Sequence, residues 1–142
     1  MHVNYPDKKP TIKMEGHQEF VFCLVRKRWI VLTPEEWVRQ NFLLYLVEVL
    51  GCQLSLIAVE KQIIIGEVKR RFDIVVYENN MQPLILVECK EMHVEINEKV
   101  LHQAIHYFTV IQSRYILVTN GLQTYGFEKK GTTIVAIAEL TT

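Results

Sequence analysis

The sequence predicts an α/β fold, a mixed β-sheet with helices packed against its faces. Three observations carry this. Short apolar runs rich in β-branched residues recur along the chain, two segments of helical spacing interrupt them, and the first helical segment opens on a full N-terminal signal. The resulting order is β-hairpin, helix, three strands, helix, further strands.

Residues 1–16 hold two of the four prolines and several charges, and are expected to form an irregular lead-in. Glu19–Val25 and Trp29–Leu32 are β-rich runs around the polar centre Arg26-Lys27-Arg28, the pattern of a hairpin. Thr33-Pro34-Glu35-Glu36 then opens a helix, with Thr33 as N-cap, Pro34 in the first turn and Glu36 at the capping-box position. Val38, Phe42, Tyr45, Leu46 and Val49 recur at helical spacing until Gly51. Leu54–Glu60 and Val68–Tyr77 are the next strands, with Gly66 between them, followed by polar Glu78–Pro83 and the nearly continuous apolar strand Leu84–Lys90. Asn97–Gln112 has helical spacing. Arg114–Thr119 is a buried strand, Asn120-Gly121 a turn, and Thr124–Glu128 and Thr132–Ala138 close the chain as strands.

A chain of 142 residues, 49% apolar and 23% charged, is expected to form one globular domain over 1–142. Sixteen basic and sixteen acidic side chains give zero formal charge, which argues against a strongly cationic, non-specific DNA coater. Cys23, Cys52 and Cys89 form no CxxC pair and suit reduced thiols in a cytoplasmic protein. No apolar run approaches the ~18 residues of a membrane span, so no membrane partner is expected.

The chemistry concentrates in one place. Glu88-Cys89-Lys90 puts two charges at the end of an otherwise buried strand, Glu88 and Lys90 on one face and Cys89 on the other. The preceding strand carries Asp73 as a lone charge among apolar neighbours. A hairpin closed by Asn79–Gln82 places Asp73 opposite Glu88 and Arg71 opposite Lys90. Like charges facing each other are destabilising, so a cation between them is expected. A hard divalent ion such as Mg²⁺ suits oxygen ligands, and metal plus lysine suits phosphodiester hydrolysis. The alternative is that Asp73 and Glu88 are strand-end charges satisfied by Arg71 and Lys90.

Asp73, a hairpin-length gap and Glu88-Cys89-Lys90 resemble the D…(D/E)xK signature of the PD-(D/E)xK nuclease superfamily. Phe22 to Glu36, with Arg26-Lys27-Arg28-Trp29 and Thr33-Pro34-Glu35-Glu36, resembles the N-terminal domain of type I restriction enzyme R subunits, as does Leu86 to Lys90. Gln103 and Tyr107 form the Q-x-x-x-Y that related nuclease groups carry near the active site. The likeness runs from about Phe22 to Glu128, with Phe72 standing where the superfamily's proline would be. It implies a restriction-endonuclease-like fold that hydrolyses DNA phosphodiesters with Mg²⁺ or Mn²⁺. Asp73, Glu88 and the Cys89 backbone carbonyl would hold the metal, and Lys90 the attacking water or the developing phosphate charge. The first-helix acid would be Glu35 or Glu36. Helical phase puts Glu35 in line with Val38, Phe42 and Leu46, so Glu35 is chosen, Glu36 being needed for the capping box. Gln103 would orient the lysine or touch phosphate.

DNA is the expected partner, with Arg26, Lys27, Arg28, Lys69, Arg70, Arg71 and Tyr107 as candidate contacts; solvated turn and strand-end charges are the alternative for the two basic clusters. R subunits carry a motor after the nuclease domain, and this sequence ends at Thr142, so a separate motor or specificity subunit is a further candidate partner. Gly126–Gly131 looks like a phosphate loop but continues with Thr132-Thr133 on a β-hairpin pattern, and no nucleotide site is expected. His102 and His106 are one helical turn apart but lack a third metal ligand nearby. Trp29 and Trp37 are expected in the core or in a lid, and Lys129-Lys130 in a turn. The rival function is a non-catalytic nuclease-fold module that binds DNA or a partner protein.

Overall fold

Thr33 starts the first helix as its sequence predicts: the hydroxyl accepts the Glu36 N–H at 3.0 Å, and Pro34 sits in the first turn. Helix α1 (Pro34–Leu44) runs on into a π-type turn at Tyr45–Val49, where the Leu50 N–H reaches back to the Tyr45 carbonyl. Gly51, at φ +72°, then ends it. The protein is described here by a computed structural model covering residues 1–141.

The hairpin expected near the start has a third strand. β1 (Ile12–Glu15) pairs antiparallel with β2 (Gln18–Cys23), which pairs with β3 (Arg28–Val31). The irregular lead-in therefore ends at Thr11. Gly16, at φ +60°, supplies the left-handed residue of the turn back into β2. The first residues are also tied down. The amino terminus donates to the Thr124 carbonyl at 3.0 Å, and the His2 N–H to Ala138 at 2.7 Å. Trp29 does not join the core. It stands exposed on the outer face of this sheet, 5.4 Å from the Phe22 ring and beneath the Lys13 ammonium.

The main sheet has six strands in sequential order: β4 (Ile57–Ile65), β5 (Val68–Tyr77), β6 (Pro83–Cys89), β7 (Tyr115–Thr119), β8 (Thr124–Lys130) and β9 (Thr133–Ile137). Leu54–Leu56, expected in a strand, forms a single 3-10 turn, and β4 instead runs on to the Gly66 turn. Only β6 and β7 are parallel, because helix α2 (Glu98–Val110) carries the chain back between them. Asn97 caps α2 by accepting the Val100 N–H.

Strand alternation gives the sheet two apolar faces, and each helix covers one. Val38, Phe42 and Leu43 of α1, with Leu46 of the π-type turn, pack on Ile74, Val76, Ile85, Val87 and Leu117. Ala104 and Phe108 of α2 pack on Phe72, Val75, Leu86, Ile116 and Val118. Burying each such large side chain contributes roughly 1.5–3 kcal/mol. Lys129 lies within β8, not in a turn, and its ammonium donates to the Ile111 carbonyl beyond α2. Among the described residues no helix is long and apolar enough to cross a membrane.

Candidate functional site at the β5–β6 fork

β5 and β6 pair Ile74 with Val87, Val75 with Leu86 and Val76 with Ile85. One step further this register would set Asp73 opposite Glu88, as the sequence predicts, but the ladder stops at Ile74 and Val87. The closing turn differs, with Tyr77 opposite Pro83 after a shift at Val76/Tyr77. The predicted pairing of Arg71 with Lys90 does not form. β5 continues along β4, where Arg71 pairs with Gln62, while the Lys90 N–H turns to the Thr119 carbonyl at 2.8 Å. The two strands thus part at Asp73 and Glu88.

The backbone is irregular at this fork. Val59 pairs with Ile74 and Lys61 with Phe72, but Glu60 and Asp73 between them make no bridge, and Glu60 has φ +51°. Phe72 consequently faces α2 and Ile74 faces α1, which a regular strand would not allow. Asp73 lies at this change of face and reaches across the fork. Its Oδ2 accepts the Cys89 N–H at 2.7 Å, and its Oδ1 accepts from Arg39 Nη2 at 3.1 Å. Glu88 points toward α2 and accepts from Arg70 Nη2 at 2.8 Å. The expected pair of carboxylates sharing one face with a cation between them is therefore not what forms: Asp73 turns toward α1 and Glu88 toward α2, on either side of the fork.

Arg39 was not foreseen from the sequence, and it organises the α1 side. Only 5% exposed, its guanidinium reaches Glu35 (3.4 Å), Glu36 (3.3 Å), Glu60 (3.5 Å) and Asp73 (3.1 Å). Spacing offered a signal, since Glu35 and Glu36 precede Arg39 by four and three residues. The two acids have exchanged their expected environments. Glu36 is buried among Arg26, Arg39 and Gln40, so its carboxylate does not complete a capping box. Glu35 is half-exposed and stands beside Asp73.

Burial, then the charge of Asp73, raises the Glu35 pKa. Burial raises that of Glu88, with Arg70 opposing and Asp73 adding to the rise. The Lys90 charge opposes the rise on both carboxylates, and Lys90 shares a hollow with Glu88. Cys89 is buried on the α1 face, and its thiol is pushed up by desolvation.

On the α2 side, Arg70, Glu88, Lys90, Val100, Gln103, Ala104 and Val118 line one small hollow. Gln103 is exposed there, and the Arg70 guanidinium lies 4.7 Å from the Tyr107 ring centroid. The basic clusters split. Arg26 is committed to Glu36 at 2.9 Å and to the Cys23 sulfur, and Arg70 to Glu88, so neither is the free backbone contact expected of it. Lys27, Arg28, Lys69 and Arg71 are exposed.

Among the described residues no three His, Cys, Asp or Glu side chains converge as a ready-made metal cage. The donors at the fork nonetheless suit a hard cation in kind. Glu35, Glu60, Asp73 and Glu88 offer carboxylate oxygens, the donor type such a cation takes, each with an arginine partner within 3.5 Å.

The family model described as Type I restriction enzyme R protein N terminus (HSDR_N) matches residues 34–140, about three quarters of the chain. The chain belongs to that family. The match takes in Glu35, Asp73, Glu88, Lys90 and Gln103, and it begins after the N-terminal sheet. This R-protein N-terminal domain thus falls among restriction-system proteins. No curated protein matches it.

Proposed function

We propose that this domain hydrolyses DNA phosphodiesters with Mg²⁺ or Mn²⁺, as a PD-(D/E)xK-like nuclease module of a restriction system in the cytoplasm. The observation that supports the reading is that Glu35 and Asp73 on the α1 side, and Glu88 and Lys90 on the α2 side, flank the point where β5 and β6 part. Asp73 and Glu88 would hold the cation, with the Cys89 carbonyl as a third ligand and Glu35 alongside. When bound, the ion supplies polarisation of the phosphate and makes water easier to deprotonate.

The chain's own groups do the rest. Lys90 orients the attacking water or offsets charge developing on phosphate oxygens. Gln103, across the hollow, orients the lysine or binds phosphate. The exposed Lys27, Arg28, Lys69 and Arg71 hold the DNA backbone. Tyr107 contributes through the Arg70 it supports. Family membership makes DNA and the motor and specificity subunits of a restriction complex the natural partners.

One observation favours the rival, a non-catalytic module: Asp73 and Glu88 already have cationic partners in Arg39 and Arg70. Calorimetric titration of MnCl₂ into wild type and an Asp73→Asn/Glu88→Gln double variant separates the two. Binding in wild type that the double variant loses supports the nuclease. Absence of binding in wild type, with or without duplex DNA, favours the module.

A further inference from the structure

We propose that Arg70 is an internal counter-ion of Glu88 that a divalent cation must displace, so that this guanidinium gates metal entry at the fork. The inference rests on the metal-dependent reading above and adds a regulator to the same site. A carboxylate in a buried strand needs a positive partner in the absence of metal, and Arg70 supplies it through one contact, Nη2 to Oε1 at 2.8 Å. Strand alternation explains why Arg70 does this and its basic neighbours do not. It faces α2, as Phe72 does, while Lys69 and Arg71 face solvent.

The hold is poorly matched. An arginine offers five donors, and the strong arrangement with a carboxylate is bidentate. Here a single Nη2 bond is made, and the buried Nε has no partner. Arg39 shares the unpartnered Nε but differs in that its guanidinium is spread over four carboxylates, so no single ligand exchange frees it. Arg70 also has a second seat. Its guanidinium lies over the Tyr107 ring at 4.7 Å and near Phe72 at 5.9 Å, an aromatic wall that retains the cation when Glu88 lets go. Once displaced, its donors turn to the hollow shared by Lys90 and Gln103, where a phosphate group would take them.

The test is calorimetric titration of MnCl₂, without DNA, into wild type, Arg70→Gln and Lys61→Gln at fixed ionic strength. Lys61 is exposed one strand away, opposite Phe72, so its loss changes the net charge equally without touching Glu88. Arg70→Gln is expected to bind Mn²⁺ about tenfold more tightly, the value of one charge-assisted hydrogen bond no longer broken. Lys61→Gln is expected to stay within about twofold of wild type, since exposed charges are screened. Arg70→Met keeps the apolar stem against Phe72 and gives the same shift should the glutamine variant fail to fold. Equal or weaker binding in the Arg70 variants overturns the gate and leaves the metal site standing, as does an equal shift in Lys61→Gln. No Mn²⁺ binding by any of these proteins overturns the metal reading and the gate with it.

Discussion

The Asp73 carboxylate accepts the backbone N–H of Cys89 at 2.7 Å, replacing a ladder hydrogen bond where β5 and β6 separate. One oxygen thus stitches the fork while the other holds Arg39. Asp73 is therefore structural and, on the proposed function, chemical as well.

Asp73→Ala should strand two donors, a backbone amide and a buried guanidinium. A loss of about 2–4 kcal/mol in urea denaturation is expected, because both are left short of partners. Asp73→Asn keeps one acceptor and should lose less than half of that.

Arg39→Met should be costlier still. It leaves Glu36 buried with fewer cations and frees Asp73, Glu35 and Glu60 to repel one another, a loss of about 3–5 kcal/mol. Arg39→Lys should recover only part of it, since one ammonium cannot span carboxylates that a planar fork reaches. Chemical denaturation of both variants checks the order.

Glu35→Gln and Glu88→Gln should act in the opposite direction to Asp73→Ala. Both acids have pKa values raised above the ordinary 4.5, so the fold favours their protonated forms. The folded chain then binds more protons than the unfolded one between 4.5 and the raised values. The stability these groups contribute is full below 4.5 and is lost as pH rises through the raised values. Neutralising either acid should raise the Tm at pH 7 and leave it nearly unchanged at pH 4. The gain should be larger for buried Glu88 than for half-exposed Glu35. A lower Tm at pH 7 in both variants would contradict the assigned direction.

The basic residues should divide by environment. Lys27→Ala, Arg28→Ala, Lys69→Ala and Arg71→Ala should each weaken duplex binding and flatten the plot of log K against log salt by about 0.9. Arg26→Ala should leave that slope alone and lower stability by about 1–3 kcal/mol, because it removes a partner of buried Glu36. Fluorescence titrations at three salt concentrations distinguish the groups.

Much of this site was legible in the chain. The apolar runs Ile74–Val76 and Ile85–Val87 pair in the register that a hairpin closed by Asn79–Gln82 predicts, although the closing turn is shifted by a bulge, and that register carries Asp73 and Glu88 to the same fork. Thr33-Pro34 marked the helix start because capping chemistry is local. β1 was missed since two prolines and several charges outweigh four alternating residues. The phase of α1 was misread because its buried stripe is wide. It takes in Glu36, Arg39 and Gln40, whose polar groups satisfy one another and leave no apolar signature. Arg70 was read together with Lys69 and Arg71, although a strand sends neighbours to opposite faces. The turn of Asp73 toward α1 depends on the backbone irregularity at Glu60, which no residue type there announces.

The most direct test of the proposed hydrolysis is Mg²⁺-dependent nicking of supercoiled plasmid by wild type and by Lys90→Ala. Lys90 has no ion-pair partner among the described residues, so its removal should leave the fold intact. Nicking by wild type that requires Mg²⁺ and falls at least about a hundredfold in Lys90→Ala is the predicted result. Equal nicking by both proteins, or none by wild type in Mg²⁺ or Mn²⁺, would contradict it.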